Sequence, residues 1–227
     1  MEVKLIQISE SLDGIARIGV LFLKQITNTQ ISDQLHAQMG ELSEELRRSI
    51  GERKPSELDS VERVRRLYRA IGADPTKDRP SSEKLLRRVL AEKPLPTVNT
   101  LVDSVNFASL RNQCPMGVYD WDKVSPPVLV RIGQPGEGFR GISSPADDPS
   151  HSFNVHGRFT LVDGEGPFGN PTHDSERTRV TEGTVRAMVV AWAPADAPRS
   201  YLEAVLRETA ELSEEFTDSR VASSGLL

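Results

Sequence analysis

Helical and strand patterning are segregated along this chain of 227 residues. Between residues 30 and 112 apolar side chains recur at helical spacing. Leu35, Met39, Leu42 and Leu46 form one stripe; Val61, Val64, Leu67, Tyr68 and Ile71 form a second; Leu85, Leu86, Val89 and Leu90 form a third. Residues 97–112 continue the pattern with Val98, Leu101, Val102 and Val105. From Pro126 onward the texture changes to short apolar runs at residues 128–132, 159–162 and 187–192, separated by Gly and Pro turns. Two further strands are predicted at residues 3–8 and 19–23, and a closing amphipathic helix at 201–216. A regular βαβ alternation would interleave the two patterns. Their separation predicts an α+β fold, a mixed or antiparallel sheet flanked by helices.

A chain of this length buries about 70% of its unfolded surface and needs no staples. The lone Cys114 has no internal disulfide partner and reads as a small core or loop residue rather than a nucleophile. The first residues carry no apolar signal-peptide region, and the longest apolar run, residues 18–23, is far too short to cross a bilayer. The expectation is a soluble cytoplasmic protein with no membrane partner. Net charge is −5 and the pI about 5.5, which disfavours a protein that coats nucleic acid indiscriminately. Residues 47–88 nevertheless hold 13 Lys or Arg against 7 Asp or Glu. That excess is either a solvated helix face or a basic patch able to meet a phosphate backbone.

Several chemistries lack their motifs. There is no phosphate loop, no dinucleotide glycine fingerprint and no Gly-x-Ser-x-Gly nucleophile elbow. His36, His151, His156 and His173 do not make a zinc pattern with a single cysteine. No metal or cofactor is expected. Asn99, Asp103 and Asn106 share one helix face, either lining a cleft or bonding to nearby backbone. Gly136-Glu137-Gly138 reads as a tight turn close to a ligand or as a turn alone.

Three blocks carry the reading further. The first is Arg79-Pro80-Ser81-Ser82-Glu83 through Arg88. The second runs from Asn99-Thr100-Leu101-Val102-Asp103 through Asn106 to Met116-Gly117-Val118-Tyr119-Asp120. The third is His173-Asp174-Ser175 through Thr184. Together, in this order, they resemble the B3/B4 domain family, the tRNA-editing module of the phenylalanyl-tRNA synthetase β subunit and its stand-alone relatives. The resemblance covers residues 61–192 and implies a B3/B4-like fold. It also implies a trans-editing hydrolase that cleaves the ester of a mischarged aminoacyl-tRNA, with tRNA or aminoacyl-tRNA as partner. The alternative is a non-catalytic module holding tRNA, an amino acid or a protein. A complete synthetase is not expected.

Residue by residue, the resemblance places the family asparagine on Asn106 and its tyrosine-selecting glutamate on Glu176, the two expected catalytic positions. Val105 and Thr178 replace a threonine and a serine. Gly117 stands where the synthetases have a histidine, which either admits a larger ligand or leaves water positioning to the tRNA's terminal hydroxyl. Asn99, Asp103, Gly117, Tyr119, Asp120, Glu137, Arg177 and Thr178 are the expected substrate-binding positions. Asp103 or Asp120 is suited to an ammonium group. Arg65, Arg66, Arg69, Arg87 and Arg88 are the expected phosphate contacts. The expected organisation is an N-terminal part, 1–52, packed on a B3/B4-like domain, 53–218, with a frayed tail, 219–227.

Overall fold

The computed structural model describes residues 2–142, 144 and 152–227. His151 lies outside them. The central layer is an antiparallel sheet in the order β10-β2-β9-β3, built from β2 (Ala16–Lys24), β3 (Met116–Asp120), β9 (Arg186–Pro194) and β10 (Arg220–Leu226). Strand periodicity sends its side chains into two cores. From β2 and β9, Leu21, Leu23, Ala187, Val189, Ala191 and Ala193 face one core; Ile18, Val20, Phe22, Met188, Val190 and Trp192 face the other. Both faces are covered, so these strands read in sequence as continuous apolar runs rather than as alternation.

Four helices cover the first face: α1 (Asp33–Ile50), α3 (Ser81–Leu90), α4 (Thr100–Asn112) and α5 (Arg199–Thr217). The alanines of β9 let α4 and α5 approach the sheet closely. Over the second face lies a mixed sheet, β1-β4-β7-β8, formed by Ile6–Ile8, Val128–Ile132, Phe159–Asp163 and Gly166–Gly169. Its β1–β4 pair is parallel and the others antiparallel. A two-stranded ribbon joins β5 (Gly138–Phe139) to β6 (Phe153–Asn154). Helix α2 (Asp59–Ala70) serves both cores, giving Val61 to one and Val64, Leu67 and Tyr68 to the other.

The α+β class is as the sequence predicts, with three differences in detail. Residues 220–226 are not frayed: after Asp218, in the left-handed region at φ 51°, the chain reverses and pairs with β2. Arg-Val-Ala-Ser-Ser-Gly-Leu carries little strand signal, and the open edge of β2 supplies the ordering instead. Strand β3 lies inside a stretch that periodicity leaves unassigned. Residues 2–5 form a 3-10 turn, so the first strand is only Ile6–Ile8.

Candidate functional site

The three blocks meet where α3 starts. Pro80 has no N–H to lose and fixes the chain entering the helix. The Ser81 N–H then donates to the Pro171 carbonyl at 3.0 Å, and its hydroxyl lies 3.3 Å from both the carbonyl and the N–H of Met116 on β3. One turn along, Lys84 Nζ donates to the Thr172 carbonyl at 3.1 Å and sits 3.5 Å from His173 Nε2. Asn170 shapes the intervening loop, its Oδ1 accepting from the N–H groups of Thr172 and His173, both at 2.8 Å. This is an Asx turn of the kind an Asn-Pro-Thr sequence favours. Bridges from Gly169 to Asp174 and from Gly141 to Ser175 pin the third block on both sides.

At the centre of this junction is Gly117. A Cβ there would collide with the Tyr119 hydroxyl and come within 3.0 Å of Asp174 Oδ1. Gly169, on β8 of the other sheet, likewise leaves no room for a Cβ against the Tyr119 hydroxyl and ring. The tyrosine is fully buried, edge-on to Phe168 at 5.1 Å between centroids. Its hydroxyl and Asp174 Oδ1 are both enclosed without a well-formed hydrogen bond, although they face each other closely enough to interact.

Burial dominates the electrostatics. It pushes the Asp174 carboxyl up to about 7, against the opposing pull of Tyr119 and Lys84. Burial, and then the Lys84 charge, bring His173 down to about 4, so its ring is neutral near pH 7. The Lys84 ammonium is lowered by burial and by Arg79, while Asp174 and Asp78 support its charge. The Tyr119 phenol is raised by burial and by Asp174 and stays protonated. A carboxyl that titrates near neutrality beside a cation and a neutral imidazole can accept a proton while the cation steadies developing negative charge.

Of the residues expected from sequence, Gly117 and Tyr119 lie in this cluster. Asn106 is half-buried on α4, its side chain making no hydrogen bond among the described residues. Glu176 pairs with Arg179 at 3.1 Å. Asn99 caps α4, accepting from the Val102 N–H at 3.0 Å. Asp103 is buried; it accepts from the Val98 N–H at 3.1 Å and lies 3.0 Å from His36 Nε2. Burial raises its pKa despite those partners. Asp120 is a buried turn residue, accepting from the Asp122 N–H and the Thr184 hydroxyl, with Lys123 Nζ at 3.2 Å. Glu137 is held by Arg131 and the Gln134 N–H. Arg177 forks onto Asp163 at 2.8 and 3.1 Å rather than meeting Glu176. Thr178 is buried, its hydroxyl without a hydrogen-bond partner among the described residues.

The arginines divide. Arg65 is not a phosphate contact: its side chain is 8% exposed and clamps Glu83 through two hydrogen bonds at 2.7 and 2.9 Å. Position 65 turns inward because α2 packs both cores, and a buried carboxylate meets it there. Arg66, Arg69 and Arg87 are more exposed but paired with Asp196, Glu62 and Glu83. Arg88 is exposed and donates to the Pro94 carbonyl. Sequence reasoning missed Lys84, His173 and Asp174. All three sit inside the quoted blocks, but nothing in their spacing says that residue 84 meets the loop at 172–174.

No helix among the described residues is long and apolar enough to cross a membrane, and no described group of His, Cys, Asp and Glu is arranged to hold a metal. Among known families, the B3/4 domain matches residues 63–208. Among solved structures, the chain is similar to an N-terminal fragment of the phenylalanyl-tRNA synthetase β-subunit from Pyrococcus horikoshii. The likeness has 14% identity and a TM-score of 0.50, covering 95% of this chain and 49% of that one. At that identity it is a likeness of fold, and this chain spans about half the length of that fragment. No curated protein matches.

Proposed function

Because the chain belongs to the B3/4 domain family, we propose that it acts on tRNA, hydrolysing the ester of a mischarged aminoacyl-tRNA in trans, in the cytoplasm. The observation that carries this reading is the convergence of the three blocks on one polar cluster, Lys84, Tyr119, His173 and Asp174 around Gly117. An aminoacyl ester is already activated, so positioning and a proton acceptor suffice. Water attacks the ester carbon and gives its proton to the Asp174 carboxylate. The Lys84 ammonium steadies the carbonyl oxygen as charge develops on it. The bond from the carbonyl carbon to the ribose oxygen breaks, and that oxygen leaves with the proton returned by Asp174. Asn106 is assigned the ester or the water through its amide, and Glu176 the amino acid side chain.

A second reading is a binding module without catalysis. It is favoured by the Tyr119 hydroxyl filling the space beside Gly117, where the synthetases place an imidazole. A panel of correctly and wrongly charged tRNAs separates the two. Selective deacylation of one mischarged species, reduced at least about tenfold by Asp174→Asn, Asn106→Ala and Glu176→Ala, is the expected result. Background hydrolysis across the panel by folded protein would leave the binding module.

A further inference from the structure

Among the described residues Glu83 is the carboxylate with the most arginine partners. Its Oε1 accepts from Arg65 Nη2 at 2.7 Å and Arg87 Nε at 2.8 Å, with Arg79 Nε at 3.6 Å; its Oε2 accepts from Arg65 Nε at 2.9 Å. Burial works against its charge, yet the Arg65 and Arg87 hydrogen bonds outweigh that cost and hold the carboxyl below the usual range. Three guanidinium groups thus share one buried negative charge, leaving an excess of positive charge at the surface end of the group. Nearby acids do not remove it: Glu62 is engaged by Arg69 and Asp78 by Arg158, while Asp74 turns onto Thr76.

The three arginines are not equivalent. Arg65 is buried and fully committed to Glu83. Arg79 and Arg87 are 35% and 40% exposed; Arg79 stands just before α3, four residues ahead of Glu83, and Arg87 on α3, four residues after it. Among the described residues, Arg87 bonds only through Nε, and Arg79 Nη1 makes no hydrogen bond. Both guanidinium groups thus lie against the same carboxylate oxygen, Arg87 through a hydrogen bond at 2.8 Å and Arg79 as an ion pair at 3.6 Å, with N–H groups to spare. Spare guanidinium N–H groups from two arginines anchored on one carboxylate are suited to a phosphate's oxygens.

We propose that Arg79 and Arg87, organised by the buried Arg65–Glu83 pair, form a fork that binds one phosphate group, supplied by the backbone of a single-stranded RNA end. The RNA as source rests on the proposed function; the fork itself does not. Arg65 and Glu83 are positioning residues, since neither reaches the anion.

The test is binding without turnover, so that it stands or falls separately from deacylation. The arginine Nε–H resonances of the full chain are followed during titration with inorganic phosphate, with AMP, and with a short RNA ending in adenosine. Glu83→Gln is avoided, because it leaves a buried guanidinium short of its counter-charge and destabilises the fold itself. The double variant Arg79→Gln/Arg87→Gln alters only half-exposed side chains. The expected result is a saturable shift at Arg79 and Arg87 with phosphate, tightest with RNA. In the double variant, RNA affinity falls about tenfold and the salt slope drops by about 0.7, the share of one single-strand phosphate. Arg207→Gln, exposed on α5, leaves both unchanged. Binding of phosphate and AMP with no gain from RNA would overturn the RNA source and retain the fork. Equal shifts at Arg207, or unchanged affinity and slope in the double variant, would overturn the fork itself.

Discussion

Gly117 illustrates how one missing side chain acquires meaning from its neighbours. The space its side chain would take is filled by the Tyr119 hydroxyl, so Gly117→Ala overpacks a closed site. It is expected to cost about 1–3 kcal/mol in denaturant unfolding. Tyr119→Phe removes a buried hydroxyl that lacks a good partner and should be close to neutral. In that background the Gly117→Ala cost should shrink; an unchanged cost would mean that the ring, rather than the hydroxyl, sets the clash. Asp174 and His173 give opposite pH signatures. Between about 4 and about 7 the folded Asp174 carboxyl holds a proton that the unfolded chain has released, so its contribution to stability falls as pH rises through that window. Between about 4 and 6.5 the unfolded chain is the one that protonates position 173, so the His173 contribution rises with pH. The two largely cancel in the native protein. Asp174→Asn should reveal stability rising from pH 4 to 6.5, and His173→Gln stability falling from pH 4 to 7. Thermal melts that move the same way in both variants would contradict this assignment.

Among the elements, α4 shows why polar periodicity misleads. Asn99 stands at the cap just before α4, and both Asn99 and Asp103 spend their side chains on the backbone at the start of the helix. Among the described residues the Asn106 side chain makes no hydrogen bond, so the backbone-bonding reading holds for Asn99 and Asp103 alone. Asn99→Ala should lower stability by about 1 kcal/mol, the usual worth of a side-chain N-cap, read from the denaturation midpoint. Strand β10 has the converse lesson. Its residues are weak strand formers, yet they close the edge of β2 over Arg220–Leu226. Truncation after Asp218 should expose that edge, lower the melting temperature by several degrees and promote self-association, measured by scattering. A truncated chain that melted like the full one would return those residues to the status of a tail.

For the molecule as a whole, the segment before residue 53 is not a detachable cap. Strand β2 lies inside the central sheet between β9 and β10 and sends side chains into both cores. Residues 53–227 alone should therefore fail to give a cooperative unfolding transition or dispersed amide resonances. A folded fragment would restore the division that the sequence suggests at residue 52. The family match begins at residue 63, yet the cores it needs are completed from outside it.

By itself the sequence determined what local periodicity and local chemistry can encode: the α+β class, five helical segments whose bounds the structure sets at 33–50, 59–70, 81–90, 100–112 and 199–217, the main apolar strands, and the three blocks that carry the family resemblance. Only the tertiary structure decided which of those blocks' polar residues meet. Lys84, Gly117 and the 172–174 loop are far apart along the chain; packing α3 against β3 and the loop after β8 brings Lys84 to Thr172 and His173, and Gly117 to Asp174. The same holds for Arg65, whose charge looks surface-exposed in the sequence and is buried on Glu83 in the fold. The physical reason is common to both cases. Periodicity reports which face of an element is apolar, whereas the pairing of buried charges depends on which elements share a core, and that is set by long-range packing.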